Sequence, residues 1–156
     1  AALFCGLYLN ELLLRLLHRH DPHERLFQSY ADALSRLGTG QNPEALLRVF
    51  EKRLLEDIGF GPVLDHDVQD GTALQPGQLY RYLPERGPVM AATANGEGIA
   101  VHGASLLALA CECLEDEAVL GEAKRLMRAL LARHLGGRPL TSRDLFRPQR
   151  MVDALE

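Results

Sequence analysis

Basic residues crowd the end of this chain. Residues 124–156 hold eight of them against three acidic residues, a balance of +5, while residues 1–123 hold nine against eighteen, a balance of −9. The formal total of −4 therefore conceals a basic stretch on an acidic body. Seven of the eight are arginines: Arg125, Arg128, Arg133, Arg138, Arg143, Arg147 and Arg150 follow Lys124, and only Asp144 interrupts them. A guanidinium offers a planar fork matched to phosphate and carboxylate. Lys124 and Arg128, four apart, are neighbours on a helix, with Arg125 beside them. Several such groups on one face would give salt-sensitive, sequence-blind attraction for nucleic acid strands. The same residues would also suit a solvated helix face paired with the acidic body, and residue types alone weigh the two equally. A smaller basic pair, Arg48 and Lys52, lies four apart beside Leu47, Phe50 and Leu55. An apolar groove edged by cations can clamp a short acidic-hydrophobic peptide. Ion pairs from Lys52 to Glu56, and from Arg48 to Glu44 or Glu51, account for the pair more simply.

Other reactive side chains form no enzyme signature. There is no G-x-S-x-G, no H-E-x-x-H and no phosphate-binding glycine loop. Ser105 and Ser142 read as helix caps. Cys111 and Cys113 lie two apart, which puts them on different sides of a helix, and Cys5 sits in an apolar helix. An odd cysteine count without regular spacing suits a reducing compartment. His18, His20 and His23 with Asp21 cluster at one helix junction, and His66, Asp67 and Asp70 form an oxygen-rich group. Neither completes a known metal loop; a small metal hydrolase would have to be built from the second.

The elements that position these residues are mostly helical. Residues 2–19 form a first helix in which Leu3, Leu7, Leu12, Leu13, Leu14, Leu16 and Leu17 spread beyond one stripe, predicting a central helix contacted on several sides. Asp21 as cap, Pro22 at the first position and Glu24 start a second helix, with Leu26, Phe27, Tyr30, Leu34 and Leu37 on its stripe and Gly38 and Gly40 at its end. Asn42-Pro43 repeats the signal for a third, carrying Leu47, Phe50, Leu54 and Ile58 until Gly59 and Gly61-Pro62. Three short-looped helices predict a bundle. Residues 59–102 turn glycine-rich, with 78–83 and 88–93 pairing as a hairpin across 84–87. Helices return at 105–114 and 117–135, Gly136-Gly137 stops the second, and Thr141 or Ser142 caps a short last helix through Phe146. The fold class is thus mainly α: one domain over 1–156, a helical bundle with a small β-hairpin and loop insert at 59–102. No apolar run is long enough for a membrane span. The opening stretch is broken by Asn10, Glu11 and Arg15 with no basic region before it, unlike a signal peptide, and reads as a helix entered partway along.

Four fragments in order, GLYLNELLLRLL at 6–17, DPHERLFQSYADAL at 21–34, LLRVFEKRLLEDIGFGPVLDH at 46–66 and AKRLMRALLARHLGGRPLTSRDLF at 123–146, resemble the bacterial recombination mediator family RecO. The last holds the family's G-G-[KR]-P-L-x-S-R element as Gly136 to Arg143. The resemblance covers the family's helical C-terminal part and implies that its N-terminal oligonucleotide-binding barrel lies outside this chain. It implies a non-enzymatic role in DNA repair and homologous recombination: binding and annealing single- and double-stranded DNA, working with RecR to load the recombinase, and docking the acidic C-terminal tail of the single-stranded DNA-binding protein. A cytoplasmic, nucleoid-associated location follows from the same resemblance, with no membrane partner.

It also assigns the two basic groups. Lys124, Arg125, Arg128, Arg133, Arg138, Arg143 and Arg147 become candidates for DNA contact, and Arg48 with Lys52 candidates for the partner tail. Arg143 has a structural alternative, pairing with a carboxylate to pin the last helix. The alternative for the whole domain is a protein-interaction module, with DNA binding left to the barrel. Many family members hold zinc in the insert with two C-x-x-C pairs. This sequence has Asp67 and Asp70 at the first, and Met90 and Thr93 near the second. A closed zinc site depends on thiolates, so the insert is expected to be a degenerate zinc-finger-like region with neither metal nor other cofactor, held by hairpin pairing and by Leu79, Tyr82 and Val89.

Overall fold

A computed structural model of the chain describes residues 2–146. The elements run α1 (Ala2–Leu16), α2 (Glu24–Leu37), α3 (Pro43–Asp57), β1 (Leu79–Leu83), β2 (Gly87–Met90), β3 (Ile99–His102), α4 (Gly103–Cys111), α5 (Glu117–His134) and a 3-10 turn over Thr141–Phe146. The mainly helical class, with a small antiparallel sheet, is as the sequence patterning predicts.

The central helix is α3, which touches α1, α2, α4 and α5. Asn42 caps it, its side chain accepting from the Glu44 amide, with Pro43 at the first position. Its buried set includes Leu46, Leu47, Phe50, Leu54 and Leu55, but also Arg48, Glu51 and Lys52. Those charges disguised its position in the sequence. The leucine-rich α1, expected at the centre, buries one stripe of Cys5, Tyr8, Leu9 and Leu12, leaving Leu3 at 72% and Leu14 at 84% exposure. Leucine content reports the capacity to be buried, not burial itself.

The start of α2 also differs from expectation. It begins at Glu24, and the capping residue is His23, which makes no side-chain cap bond. The His23 ring instead pairs with Asp57 at the end of α3. The α3 terminus closes as a Schellman motif: the Phe60 amide donates to the Leu55 carbonyl (2.8 Å) and the Gly59 amide to that of Glu56 (3.2 Å), with Gly59 at φ 88°.

The insert is a three-stranded antiparallel sheet in the order β2-β1-β3. β1 and β2 are the expected hairpin, with Tyr80 opposite Met90 and Leu83 opposite Gly87. β3, which pairs Leu79 with His102 and Tyr82 with Ile99, was not expected. Leu64, Leu74, Tyr80, Tyr82 and Val101 join the bundle core. Val89 is buried and Leu79 half-buried. Asp67 adds a tie the sequence did not suggest. Buried at 3% exposure, its carboxylate accepts from the Gln69 amide (2.7 Å) and from the Met90 amide (2.9 Å), joining the first loop to β2. Asp70 accepts from the amide and hydroxyl of Thr72, and the Thr93 hydroxyl donates to the Met90 carbonyl. Asp67, Asp70, Met90 and Thr93, where the resemblance implied thiolates, are thus engaged in hydrogen bonds within the insert.

The chain passes from β3 into α4 at Gly103, where an added Cβ would lie 2.0 Å from the Gln75 carbonyl oxygen. Asp116 caps α5 by accepting from Ala118 and Val119. Its end is followed by Gly136 at φ 60° and Gly137 at φ 73°.

Candidate functional site

The segment after α5 is fastened to α1 by two side chains one turn apart. The Glu11 carboxylate accepts from the amides of Thr141 and Ser142 (both 2.8 Å) and from the Ser142 hydroxyl (2.6 Å). Arg15 donates to the carbonyls of Arg138 (2.9 Å) and Pro139 (3.2 Å). Burial would raise the Glu11 pKa, but the bonds from Ser142 and Thr141 outweigh it and hold the group below its ordinary value. Leu140 adds an apolar anchor at 1% exposure. Gly136 to Ser142 therefore work as a stop, a plug and a catch. Their effect is to carry Arg143 back over α1, its guanidinium carbon 6.0 Å from the centre of the Tyr8 ring.

Arg143 there meets residues from three other segments. A cavity of about 400 Å³ is lined by Cys5 and Tyr8 of α1, Pro43, Leu47 and Arg48 of α3, Lys124 and Arg128 of α5, and Arg143. Glu44 lines it as well and takes an ion pair from Lys124 (2.6 Å). The site thus combines apolar walls with four cationic side chains, a chemistry suited to an anion attached to an apolar group.

Beneath the cavity lies a buried polar cluster. Arg48 donates to Glu51 (2.7 Å), and the Tyr8 hydroxyl donates to the same carboxylate oxygen (2.5 Å). Glu51 is 1% exposed. Burial pushes its pKa up, against the opposing pull of Arg48, Tyr8, Arg143 and Arg128. Burial and the neighbouring carboxylate also raise the Tyr8 phenol, so Tyr8 stays a neutral donor. Arg48 Nε and Glu51 Oε2 are buried without hydrogen-bond partners. Cys5, at the rim, is a buried thiol whose pKa is raised by burial.

The two basic groups of the sequence are therefore regrouped. Arg48 joins Lys124, Arg128 and Arg143 at the cavity. Lys52, one turn along α3, is turned away and buried, its ammonium near the Ala110 carbonyl (3.4 Å), Glu112 (3.1 Å) and Glu56 (3.4 Å). Arg125 stays exposed near Glu122 (3.8 Å). Arg133 lies on another side, paired with Glu85 of the β1–β2 turn, and Arg138 is exposed on the connection to the 3-10 turn. Arg147 and Arg150 lie outside the described residues.

Sequence reasoning missed Tyr8, Cys5 and Pro43 as lining, and Glu11 and Arg15 as the fastening. The available signal was the polar break of Glu11 and Arg15, four apart in a leucine-rich helix. The cysteine expectation is corrected as well. α4 ends at Cys111, and Glu112 adopts a left-handed conformation at φ 61°. Cys111 and Cys113 are consequently both exposed, and the Cys113 thiol donates to the Cys111 carbonyl (3.2 Å). Among the described residues, no group of three or more His, Cys, Asp or Glu could hold a metal ion. His66 pairs with Asp65 (2.6 Å), and His18 and His20 are exposed. No helix among those residues is long and apolar enough to cross a membrane.

Comparison with known proteins matches residues 1–144 to the family model described as "Recombination protein O C terminal". Proteins named DNA repair protein RecO are similar to the chain. That of Methylococcus capsulatus is 49% identical over 94% of this chain and 59% of its own length. That of Nitrosococcus oceani is 48% identical over 96% and 61%, and that of Pseudomonas aeruginosa 49% identical over 93% and 61%. The chain spans about three fifths of the length of these curated relatives.

Proposed function

The chain belongs to the family of the C-terminal part of recombination protein O, and from that premise we propose that it is the helical docking domain of a DNA repair and recombination mediator. Its cavity receives the acidic-hydrophobic C-terminus of the single-stranded DNA-binding protein, and its outward arginines hold DNA strands by their phosphates. The domain performs no covalent step. Its work is to bring coated single strands, the mediator, RecR and the recombinase together.

The observation carrying this reading is the convergence of Arg48, Lys124, Arg128 and Arg143 on one apolar-walled cavity. A peptide terminus suits it: a free carboxylate and nearby acidic side chains would meet the guanidinium forks, while an apolar last residue would cover Leu47, Pro43 and Tyr8. Closure of the site by Arg143 gives the glycine-to-arginine element a role, since the catch on Glu11 fixes where that side chain stands. Arg125 and Arg138, exposed outside the cavity, are left for strand backbones, which they would position without reading sequence.

The test uses a short acidic peptide ending in an apolar residue, titrated calorimetrically as free acid and as C-terminal amide. Arg128→Ala removes an exposed lining cation and leaves the Arg48–Glu51 hydrogen bond in place. The free-acid peptide is expected to bind this variant about tenfold more weakly, or about 1.4 kcal/mol, and amidation should cost the wild type a similar factor. Equal affinities in all three pairings would rule the cavity out as the carboxylate site.

A protein-only reading is favoured by one feature: Lys124, Arg125 and Arg133 each have a carboxylate near at hand, so part of the basic surplus is neutralised internally. Binding of labelled DNA strands separates the two readings.

A further inference from the structure

We propose that Phe60 and His134 form a stacking platform for an unpaired base of single-stranded DNA, with Arg86 and Arg133 beside it to meet the strand's phosphates. This rests on the DNA-binding part of the proposed function and assigns it a place on the molecule.

Phe60 is an unusual residue for its position. At the second residue past a helix end closed in this way, a hydrophobic side chain ordinarily packs back on its own helix. Phe60 instead leans on His134 near the end of α5, with ring centres 4.5 Å apart and planes inclined by 53°, and remains 61% exposed. His134 offers an aromatic surface without charge. Burial, with a smaller contribution from Arg133, lowers its pKa below the ordinary 6.5, which leaves the imidazole neutral at physiological pH.

The pair borders a cavity of about 590 Å³ that is also lined by Pro62, Tyr82, Arg86 and Arg133. On its other side it borders a second cavity, of about 480 Å³, whose walls carry Arg15 and His18 together with the carboxylates of Asp21 and Asp57; the cations that would meet a strand therefore lie on the Arg86 and Arg133 side. An aromatic face beside cationic side chains, as here with Arg86 and Arg133, is a means by which proteins hold single strands without reading sequence: bases stack while phosphates are neutralised. An apolar peptide side chain would have cations in its walls. A nucleotide would use them, its phosphate displacing the exposed Glu85 from Arg133. This place is distinct from the cavity around Arg143, so tail and strand could be held together.

The chain contains no Trp, so Phe60→Trp installs a unique fluorophore on the platform while keeping an aromatic face there. A fluorescein-labelled oligothymidylate and a base-free abasic strand of equal length are each titrated with the protein, binding followed by anisotropy and stacking by Trp emission. Saturation with oligothymidylate should quench the Phe60→Trp emission, and the abasic strand should not. Phe60→Ala, an exposed change whose folding is checked by circular dichroism, should weaken oligothymidylate binding about 5- to 150-fold, the range for one stacked base, and leave abasic affinity unchanged. If oligothymidylate saturates the protein with emission unchanged and Phe60→Ala binding as tightly as wild type, the platform is refuted while DNA binding stands. If no strand changes the anisotropy, the DNA reading falls and the platform with it.

Discussion

Arg48 shows how one side chain can belong to both the fold and the site. It lines the cavity, yet its guanidinium is also the charge partner of Glu51, a carboxylate at 1% exposure. Removing one member of a buried pair strands the other, at a cost of about 3–5 kcal/mol. Arg48→Ala should therefore lower unfolding stability by about that amount in urea, with Glu51 left without its hydrogen-bonded charge partner. A loss under about 1 kcal/mol would show that the pair is not holding the core together. Lost peptide binding in that variant would not by itself mark a contact, which is why Arg128 is the better probe. The pairing of Arg48 with Glu51, and of Lys52 with Glu56, was legible from spacing on a helix. That Arg48 also shares a cavity with Lys124, Arg128 and Arg143 was not, because that grouping spans α3, α5 and the 3-10 turn. Cys111 and Cys113 failed for a local reason: a side-chain period holds only while the helix continues, and Glu112 leaves it.

Asp67 plays a structural part in the insert. Where relatives are expected to place a thiolate, its carboxylate bridges the first loop to β2 through the amides of Gln69 and Met90. Hydrogen bonds to an ionised acceptor are each worth about 1.5–3 kcal/mol, and two on one buried carboxylate can stand in for part of what a metal would supply. Asp67→Ala should destabilise the protein to urea by about 2–3 kcal/mol and speed hydrogen exchange at the Met90 amide. Wild-type stability together with unchanged exchange would show that hairpin pairing alone secures the insert. Helix positions and the β1–β2 hairpin were readable because caps, glycine stops and apolar spacing coincide there. β3 escaped because Ile99–His102 is four residues long and follows Gly96 and Gly98 in a stretch with turn composition. The start of α2 escaped because Asp21 and Pro22 mimic a cap three residues before the helix that His23 begins.

Across the molecule, carboxylates tie together elements that hydrophobic packing only brings near. Glu11 joins α1 to the 3-10 turn. Glu112 joins the end of α4 to Lys52 and Arg53 of α3, the latter through two bonds of 3.0 and 2.5 Å. Glu122 of α5 accepts from the His102 amide and the Ser105 hydroxyl. Each is held below its ordinary value of 4.5: Glu112 chiefly by Arg53, and Glu11 and Glu122 because their hydrogen bonds outweigh burial. A carboxylate depressed in the folded state adds stability that is whole above its unfolded pKa and is lost as pH falls through the folded one. Glu51, raised by burial, has the opposite sign: its contribution is present at low pH and is lost as pH rises through its folded value. In acid the losses from Glu11, Glu112 and Glu122, joined by Asp70, which the bonds from Thr72 also lower, oppose the gain from Glu51. Thermal melts from about pH 7 to about pH 3 should show the midpoint falling once pH drops below roughly 4.5. Glu11→Gln should flatten that fall and lower the midpoint at neutral pH, because an amide accepts fewer and weaker bonds from Thr141 and Ser142. It should also weaken binding of the acidic peptide, since the same catch sets Arg143 over Tyr8. A midpoint that stays level into acid would show the three ties to be incidental. An acid fall with full peptide affinity in Glu11→Gln would separate the fastening of the last turn from the working of the cavity.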